Sequence, residues 1–306
     1  MKILLSYAFI FLFFNVRAQT LSIDSIITKS SLHYSIAALA NDSMKGRLTC
    51  TTQATAAANF IATRFKDAGL KPLAGNDKYF SYYPLILDKD RWEAINVIGA
   101  IPGETSSDTM VVFSAHYDHI GTRQSNGDDR GDSIFNGAND NASGVALLIE
   151  LAKYYATIKN NKYALVFIAF SGEELGLLGS ADAATAINPS FVNAVINFDM
   201  MGRPINNRTK KCMVIAKDAK PILKKLNSQL LIEKNFFIAD RFPNENLFAR
   251  SDQYSFRKVK TCFGIIATPP QDEFYHTVHD EIDTIDFDFL LSSTKKIALA
   301  CEAFIK

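Results

Sequence analysis

The sequence is poor in the features that mark disulfide-rich or thiolate-zinc proteins. Only 4 of its 306 residues are cysteine, and their spacings resemble no zinc site built from thiolates. These residues, Cys50, Cys212, Cys262 and Cys301, allow three complete disulfide pairings, among which the sequence does not choose. Cys301 falls on the apolar face of the last predicted helix, so we expect it to be a buried free thiol.

The apolar run at the N-terminus is too short to span a membrane. It covers residues 3–14, which is 12 residues, whereas a spanning helix needs roughly 20. Lys2 precedes the run, and the small or medium residues Val16 and Ala18 stand three and one before a likely cleavage point. This pattern is typical of a secretory signal peptide; a retained anchor is the alternative. We therefore predict a signal peptide over residues 1–18, a secreted or periplasmic protein without a membrane anchor after cleavage, and one domain over residues 19–306.

An excess of charge of either sign is also missing. The 33 basic and 32 acidic residues give a formal charge of +1, which becomes −1 when Lys2 and Arg17 leave with the signal peptide. A nearly neutral protein offers no electrostatic reason to expect nucleic acid or an anionic membrane as a partner.

Short apolar runs of strand type alternate with helical patterns along the chain. The runs cover residues 94–101, 110–115, 163–170, 192–198, 212–216 and 262–267. Helical patterns cover residues 32–40, 53–68, 143–155, 219–231 and a last stretch that begins near Phe287. This alternation predicts an α/β fold, with a mostly parallel central mixed sheet flanked by helices.

Acidic and imidazole side chains follow three of the predicted strands, at the point where each strand ends. His116 ends the strand before it, Glu173 and Glu174 follow the next, and Asp199 ends a third. Functional groups gather at the carboxyl edge of such sheets. Because Glu173 and Glu174 are adjacent, both cannot point the same way, so one can bind a metal while the other acts as a general base.

Two further residues complete a set of metal ligands. Asp140 lies in a loop before a predicted helix, and His276 follows the last predicted strand. Nitrogen and carboxylate ligands suit zinc, with manganese or cobalt as substitutes. Five ligands can hold two metals if one carboxylate bridges them, and Asp140 lies centrally in the order of motifs. We therefore predict a two-zinc site bridged by Asp140.

The motifs resemble those of the M28 family of di-zinc exopeptidases, which includes secreted bacterial leucyl aminopeptidases. The resemblance rests on five motifs in the family's order: H-Y-D, N-D-N-A-S-G, S-G-E-E-L-G-L-L-G-S, N-F-D-M-M-G and Y-H-T-x-x-D. The segments A-L-A-N-D-S-M-K-G-R and F-K-D-A-G-L-K-P resemble the opening helices of the family, so the likeness covers roughly residues 30–300. It implies the zinc exopeptidase (phosphorylase/hydrolase-like) architecture, a peptide substrate, and hydrolysis by a metal-activated water.

The resemblance also implies a role for each residue. One zinc would be held by His116 and Asp199 and the other by Glu174 and His276, with Asp140 shared and followed by a cis peptide bond. Glu173 would be the general base. Asp118 would orient the imidazole of His116, and Tyr275 would donate a hydrogen bond to the tetrahedral intermediate or, alternatively, only pack beside the site.

Two other functions remain open at this stage. Glutaminyl cyclases resemble the same family but use a single zinc, and a tryptophan commonly stands where this chain has Tyr275. A binding protein that has kept the fold and lost the chemistry is the second alternative, although all six ligand and base positions are intact here. Side-chain preference, and aminopeptidase against carboxypeptidase or dipeptidase action, are not set by the sequence.

Some polar residues near these motifs are not assigned as ligands. His119 and His279 each lie three residues from a predicted ligand, but the ligand set is complete without them, and support of a ligand is the less favoured alternative for each. Asp252 belongs to a segment that in the family usually reads S-D-H, and Gln253 replaces that histidine. We expect Asp252 to play a supporting part only.

Overall fold

The structure is a computed structural model that describes residues 22–73, 78–87, 89–105, 108–123, 131–206 and 209–306. The predicted signal peptide lies outside these residues. Among them, no helix is both long and apolar enough to cross a membrane.

The described residues contain nine strands that form one mixed sheet. They are β1 (Lys71–Pro72), β2 (Phe80–Leu87), β3 (Asp90–Ile101), β4 (Met110–His116), β5 (Ala164–Phe170), β6 (Val192–Asp199), β7 (Cys212–Ile215), β8 (Phe237–Ala239) and β9 (Cys262–Ile266). Their order across the sheet is β1-β3-β5-β4-β6-β9-β7-β8, and β2 pairs with β3.

Four parallel strands form the centre of this sheet. β5, β4, β6 and β9 run in the same direction, whereas β3 and β7 flank them in the antiparallel sense. The register pairs His116 with Phe170 and Asp199 with Ile266, so all four strands end at one edge. The predicted fold class is therefore confirmed, and the polar strand ends meet where the sequence placed them.

Helices cover both faces of the sheet. They are α1 (Ile23–Ile26), α2 (Lys29–Leu39), α3 (Thr52–Asp67), α4 (Gly144–Ile158), α5 (Leu178–Ala186), α6 (Ala219–Ser228) and α7 (Phe287–Ile305). α2, α3, α4 and α7 share one hydrophobic core, whereas α5 and the turn Asp252–Phe256 lie on the opposite face. Because both faces are covered, β4 is an almost continuous apolar run.

The central strand shows how the two cores are divided. Phe113 points into the larger core, where its ring stacks 5.3 Å from that of Phe167 and 6.3 Å from that of Phe198. Its neighbour Val112 belongs to the smaller core on the other face. This alternation fixes the register of β4 and, with it, the direction of His116 at its end.

Several elements differ from the sequence-based expectation. β2 was not predicted. It contains Pro84, which is tolerated because β2 is paired only with β3 among the described strands. α5 was missed inside the glycine-rich motif that carries the glutamates, and α6 ends at Ser228 rather than at residue 231. All four cysteines are free, which confirms the prediction for Cys301.

Candidate metal centre

The predicted ligands meet at the carboxyl edge of the four parallel strands. His116 and Asp199 are the last residues of β4 and β6. Glu174 follows β5, Asp140 lies in the loop that leads into α4, and His276 lies in the loop after β9. The five side chains come from five separate segments, so the fold rather than local sequence brings them together.

Asp140 stands between two imidazoles. Its Oδ1 lies 3.3 Å from Nε2 of His116, and its Oδ2 lies 3.2 Å from Nε2 of His276. Each carboxylate oxygen therefore faces a different histidine. This is the arrangement expected of a carboxylate shared by two metal ions.

The ligand atoms form two groups that have Asp140 in common. The first group is His116, Asp140 and Asp199, and the second is His119, Asp140, Glu174 and His276. Within each group, one ligand atom from every residue lies within 4.8 Å of the others. We call these groups the strand cluster and the loop cluster.

The donor set fits zinc. Nε2 of His116 lies 3.5 Å from Oδ1 of Asp199, and Nε2 of His276 lies 3.2 Å from Oε2 of Glu174. Oδ1 of Asp199 is buried and has no hydrogen-bond partner among the described residues. The carboxylates of Asp140, Glu174 and Asp199 lie close enough to repel one another unless a cation neutralises them. Imidazole nitrogen and carboxylate oxygen are both common zinc ligands.

The loop that carries Asp140 is held from two sides. Asp280 accepts hydrogen bonds from the backbone N–H groups of Asn139 and Asp140, at 3.0 and 2.9 Å. Arg47, which is fully buried, donates to the carbonyl oxygens of Asn136 and Gly137. The peptide bond between Asp140 and Asn141 is cis, as the family resemblance implied.

Asp118 lies beside His116 but does not hold it as expected. Nδ1 of His116 lies 3.1 Å from the backbone carbonyl oxygen of Asp118 and 3.8 Å from its carboxylate. The carboxylate instead accepts hydrogen bonds from Thr49 Oγ1 and from the backbone N–H groups of Glu173 and Glu174. Asp118 therefore orients His116 through its main chain, and its side chain fixes the segment that carries the two glutamates.

The adjacent glutamates take different directions. Glu174 turns its carboxylate towards the loop cluster. The carboxyl group of Glu173 is not part of either cluster, and burial raises its pKa well above the usual value, with Asp252 and Asp199 adding to the rise. Two neighbouring carboxyl groups thus have separate surroundings, as the sequence indicated.

Tyr275 contacts a proposed ligand directly. Its ring stacks on that of His276, with 3.9 Å between the ring centroids. Tyr275 and Asp199 also line a mostly apolar pocket. The lining includes Met200, Ile215, Leu247, Ile265, Ile266 and Pro270.

The sequence-based reasoning missed residues that support the ligands. His119 is fully buried, and its Nδ1 lies 2.9 Å from Oε1 of Glu174. Ser251 donates a hydrogen bond to Oδ2 of Asp199 at 2.6 Å. His119 could have been found from H-Y-D-H, because a second histidine so close to a ligand is an additional donor, whereas Ser251 gives no signal of its own.

The segment around Asp252 also supports the site. Asp252 is fully buried, and burial raises its pKa to about 7. Gln253 accepts a hydrogen bond from Asn197 and donates to the carbonyl oxygens of Leu247 and Phe248. Gln253 thus connects the segment that contains Leu247 and Phe248 to β6. This is a structural role for the residue that replaces the histidine usual in the family.

The fold and the ligand set together define a zinc exopeptidase architecture, and the comparisons agree with it. The sequence profile of peptidase family M28 matches residues 96–300, which is more than half of the chain. The chain therefore belongs to peptidase family M28, as its motifs predicted.

Similarity to individual proteins is partial in sequence and extensive in fold. A probable zinc metalloprotease of Pyricularia oryzae is 39% identical over 118 residues, which cover 38% of this chain and only 22% of that protein. The aminopeptidase from Aneurinibacillus sp. strain AM-1 superposes with a TM-score of 0.69 at 16% identity, covering 92% of this chain and 95% of that one.

A solved structure with another activity is similar to the same degree. The Porphyromonas gingivalis glutaminyl cyclase superposes with a TM-score of 0.71 at 17% identity, covering 90% of this chain and 98% of that one. Likeness at these identities defines the fold alone. The choice between the two activities therefore depends on the site.

Proposed function

We propose that the chain is a zinc aminopeptidase that uses two zinc ions to remove N-terminal residues from peptides. The observation that carries this proposal is the position of Asp140, whose two carboxylate oxygens face His116 and His276 separately. A single zinc would need only one of the two clusters. The shared carboxylate thus favours the two-zinc peptidase over a single-zinc cyclase.

The residues around the clusters suit peptide hydrolysis. Bound zinc would polarise the peptide carbonyl and lower the pKa of the attacking water. Glu173 would take a proton from that water and return it to the leaving amine, since its carboxyl group belongs to neither cluster and is not used as a ligand. The hydroxyl of Tyr275, whose ring stacks on His276, would donate a hydrogen bond to the oxygen that gains charge.

The apolar pocket supports a preference for substrates whose first residue has an apolar side chain. Because the ligand Asp199 and its neighbour Tyr275 both line the pocket, the side chain next to the reacting carbonyl would enter it. Met200, Ile215 and Leu247 offer apolar contacts there. We therefore expect peptides that begin with leucine or methionine to be cleaved faster than those that begin with alanine or glutamate.

Mass spectrometry of peptides tests the proposal. Peptides identical except for a first residue of Leu, Met, Ala, Glu or Gln would be incubated with the zinc-loaded protein, alongside N-acetylated controls. We expect loss of the whole first residue, fastest for Leu and Met, and no reaction of the acetylated peptides. Cleavage of the acetylated peptides from the other end would instead establish a carboxypeptidase.

The same experiment separates the alternatives. Loss of ammonia alone from the glutamine peptide would establish a glutaminyl cyclase. No reaction of any peptide, with zinc bound, would favour a binding protein.

We also propose that the protein is exported, on the strength of the apolar run that ends before Ala18. Expression of the full chain in a bacterium, followed by N-terminal sequencing of the periplasmic and secreted fractions, should yield protein that begins at Gln19. Uncleaved protein in the membrane fraction would instead indicate a retained anchor.

A further inference from the structure

His119 occupies a position that the proposed ligand set does not use. It lies three residues after His116, is fully buried, and its ring is 5.6 Å from that of His276 in an edge-to-face arrangement. The ring also packs on the backbone of Gly137, where an added Cβ would come within 2.6 Å of it. The imidazole is thus fixed in place within the loop cluster, beside Glu174.

The two oxygens of Glu174 face different histidines. Oε1 lies 2.9 Å from Nδ1 of His119, whereas Oε2 lies 3.2 Å from Nε2 of His276. A carboxylate oxygen only accepts, so Nδ1 of His119 carries the proton that is donated to Oε1. With one oxygen engaged in this way, Oε2 is left to bind a metal together with His276.

We propose that His119 is a positioning residue of the loop cluster, which makes Glu174 bind its zinc through one oxygen in a fixed direction. The inference rests on the proposed two-zinc function. Partners of metal ligands act in this manner by fixing the orientation and the basicity of the ligand. The strand cluster contains an analogous contact, because Ser251 donates to Oδ2 of Asp199 while Oδ1 faces His116.

Direct zinc binding by His119 is the alternative that the geometry disfavours. Nδ1 lies 2.9 Å from Oε1 of Glu174, which is hydrogen-bond distance, and this contact already occupies it. If Nδ1 bound zinc, the proton would move to Nε2, which is buried without a hydrogen-bond partner among the described residues. A buried N–H group with no acceptor is costly, whereas the proposed tautomer leaves only a weak acceptor there.

Three variants of the full zinc-loaded protein test the proposal. His119→Leu removes the donor at similar volume, and His119→Asn keeps an amide N–H near the position of Nδ1. His33→Leu is the matched control, because His33 is an exposed histidine on α2. Zinc content after dialysis against graded chelator, and the visible absorption of cobalt-substituted protein, are both read without any peptide substrate.

We expect His119→Leu to bind one of its two zinc ions with an affinity about 10- to 100-fold lower than that of the parent protein. His119→Asn should stay within a few-fold of the parent and keep the positions of the cobalt absorption bands. His33→Leu should be unchanged. Circular dichroism and thermal unfolding of the metal-free variants identify any loss that comes from misfolding.

Three outcomes would overturn the proposal in different ways. Parent-like zinc affinity in His119→Leu would show that Glu174 needs no positioning. Equal zinc loss in both variants, with altered cobalt bands in His119→Asn, would make His119 a ligand itself. A parent protein that binds at most one zinc would contradict the two-zinc function and, with it, this inference.

Discussion

The two halves of the site are built by different means. The strand cluster takes His116 and Asp199 from the last residues of two paired strands, and the side chain of His116 is only 1% exposed. The loop cluster takes Glu174 and His276 from loops, and the side chain of His276 is 35% exposed. His276 also has a left-handed backbone, with φ of 57°.

This difference shows what fixes a ligand in each half. The register of β4 and β6, together with the packing of Phe113 against Phe198, determines the direction of the side chains of His116 and Asp199. The loop cluster has no such ladder, so side-chain contacts of Asp118, His119 and Tyr275 must hold it. We therefore expect the strand cluster to bind its zinc more tightly, because less order has to be created on binding.

Removing the residue that both clusters share should have the largest effect. Asp140→Ala deletes the carboxylate that faces both His116 and His276, so both zinc ions should be lost on dialysis and activity should vanish. Metal analysis by mass spectrometry checks this, with the exposed Asp67→Ala as control. Full retention of one zinc would show that one half of the site does not depend on Asp140.

Changing the proposed general base should leave zinc binding by both clusters unchanged while slowing the reaction. Glu173→Gln keeps the shape of the side chain but removes the base, and a positioned base contributes about 10²- to 10⁴-fold to rate. We expect a fall in kcat of that size with both zinc ions bound. The matched control is Glu233→Gln, which changes a surface glutamate paired with Lys296. Parent-like turnover would remove Glu173 from the role of base.

The same difference explains what the sequence could predict. His116 and Asp199 were found because an apolar run ending in a polar residue identifies a strand end, and strand ends of parallel strands meet at one edge. His119 and Ser251 were missed because their roles depend on distances between segments far apart in the chain, 55 residues in one case and 52 in the other.

The contact of Asp118 with His116 shows a further limit of sequence reasoning. A carboxylate two residues from a histidine was expected to orient its ring, but the carboxylate accepts from backbone N–H groups after β5 instead. Spacing indicates that two residues are close. It does not distinguish which atoms of them meet.

Graded removal of metal should separate the clusters directly. We expect zinc to leave in two steps with increasing chelator, the loop cluster losing its ion first. His276→Ala should abolish the first step and leave the second at its original chelator concentration, whereas His116→Ala should affect the second. The measurement is zinc per chain by mass spectrometry. One concerted step, or loss of both ions in His276→Ala, would mean that the clusters do not differ in affinity.

The smallest effect should come from the hydroxyl that supports the strand cluster. Ser251 donates to Oδ2 of Asp199 at 2.6 Å, and Asn197 donates to the hydroxyl of Ser251 at 2.9 Å. Because the strand end already fixes Asp199, Ser251→Ala should lower only the zinc affinity of the strand cluster, which loses its ion in the second step. The expected decrease is about 10-fold, the lower end of the range for such contacts. Ser251→Thr keeps the hydroxyl and should restore the affinity.

A loss in Ser251→Ala as large as that in His119→Leu would mean that hydrogen bonds to the ligand, and not the strand that carries it, determine zinc affinity in both clusters. A smaller loss of zinc affinity in Ser251→Ala would mean that the backbone of β6 fixes Asp199, whereas Glu174 depends on the side chain of His119. The ratio of the two losses therefore measures how much orientation the sheet itself supplies to a ligand at its edge.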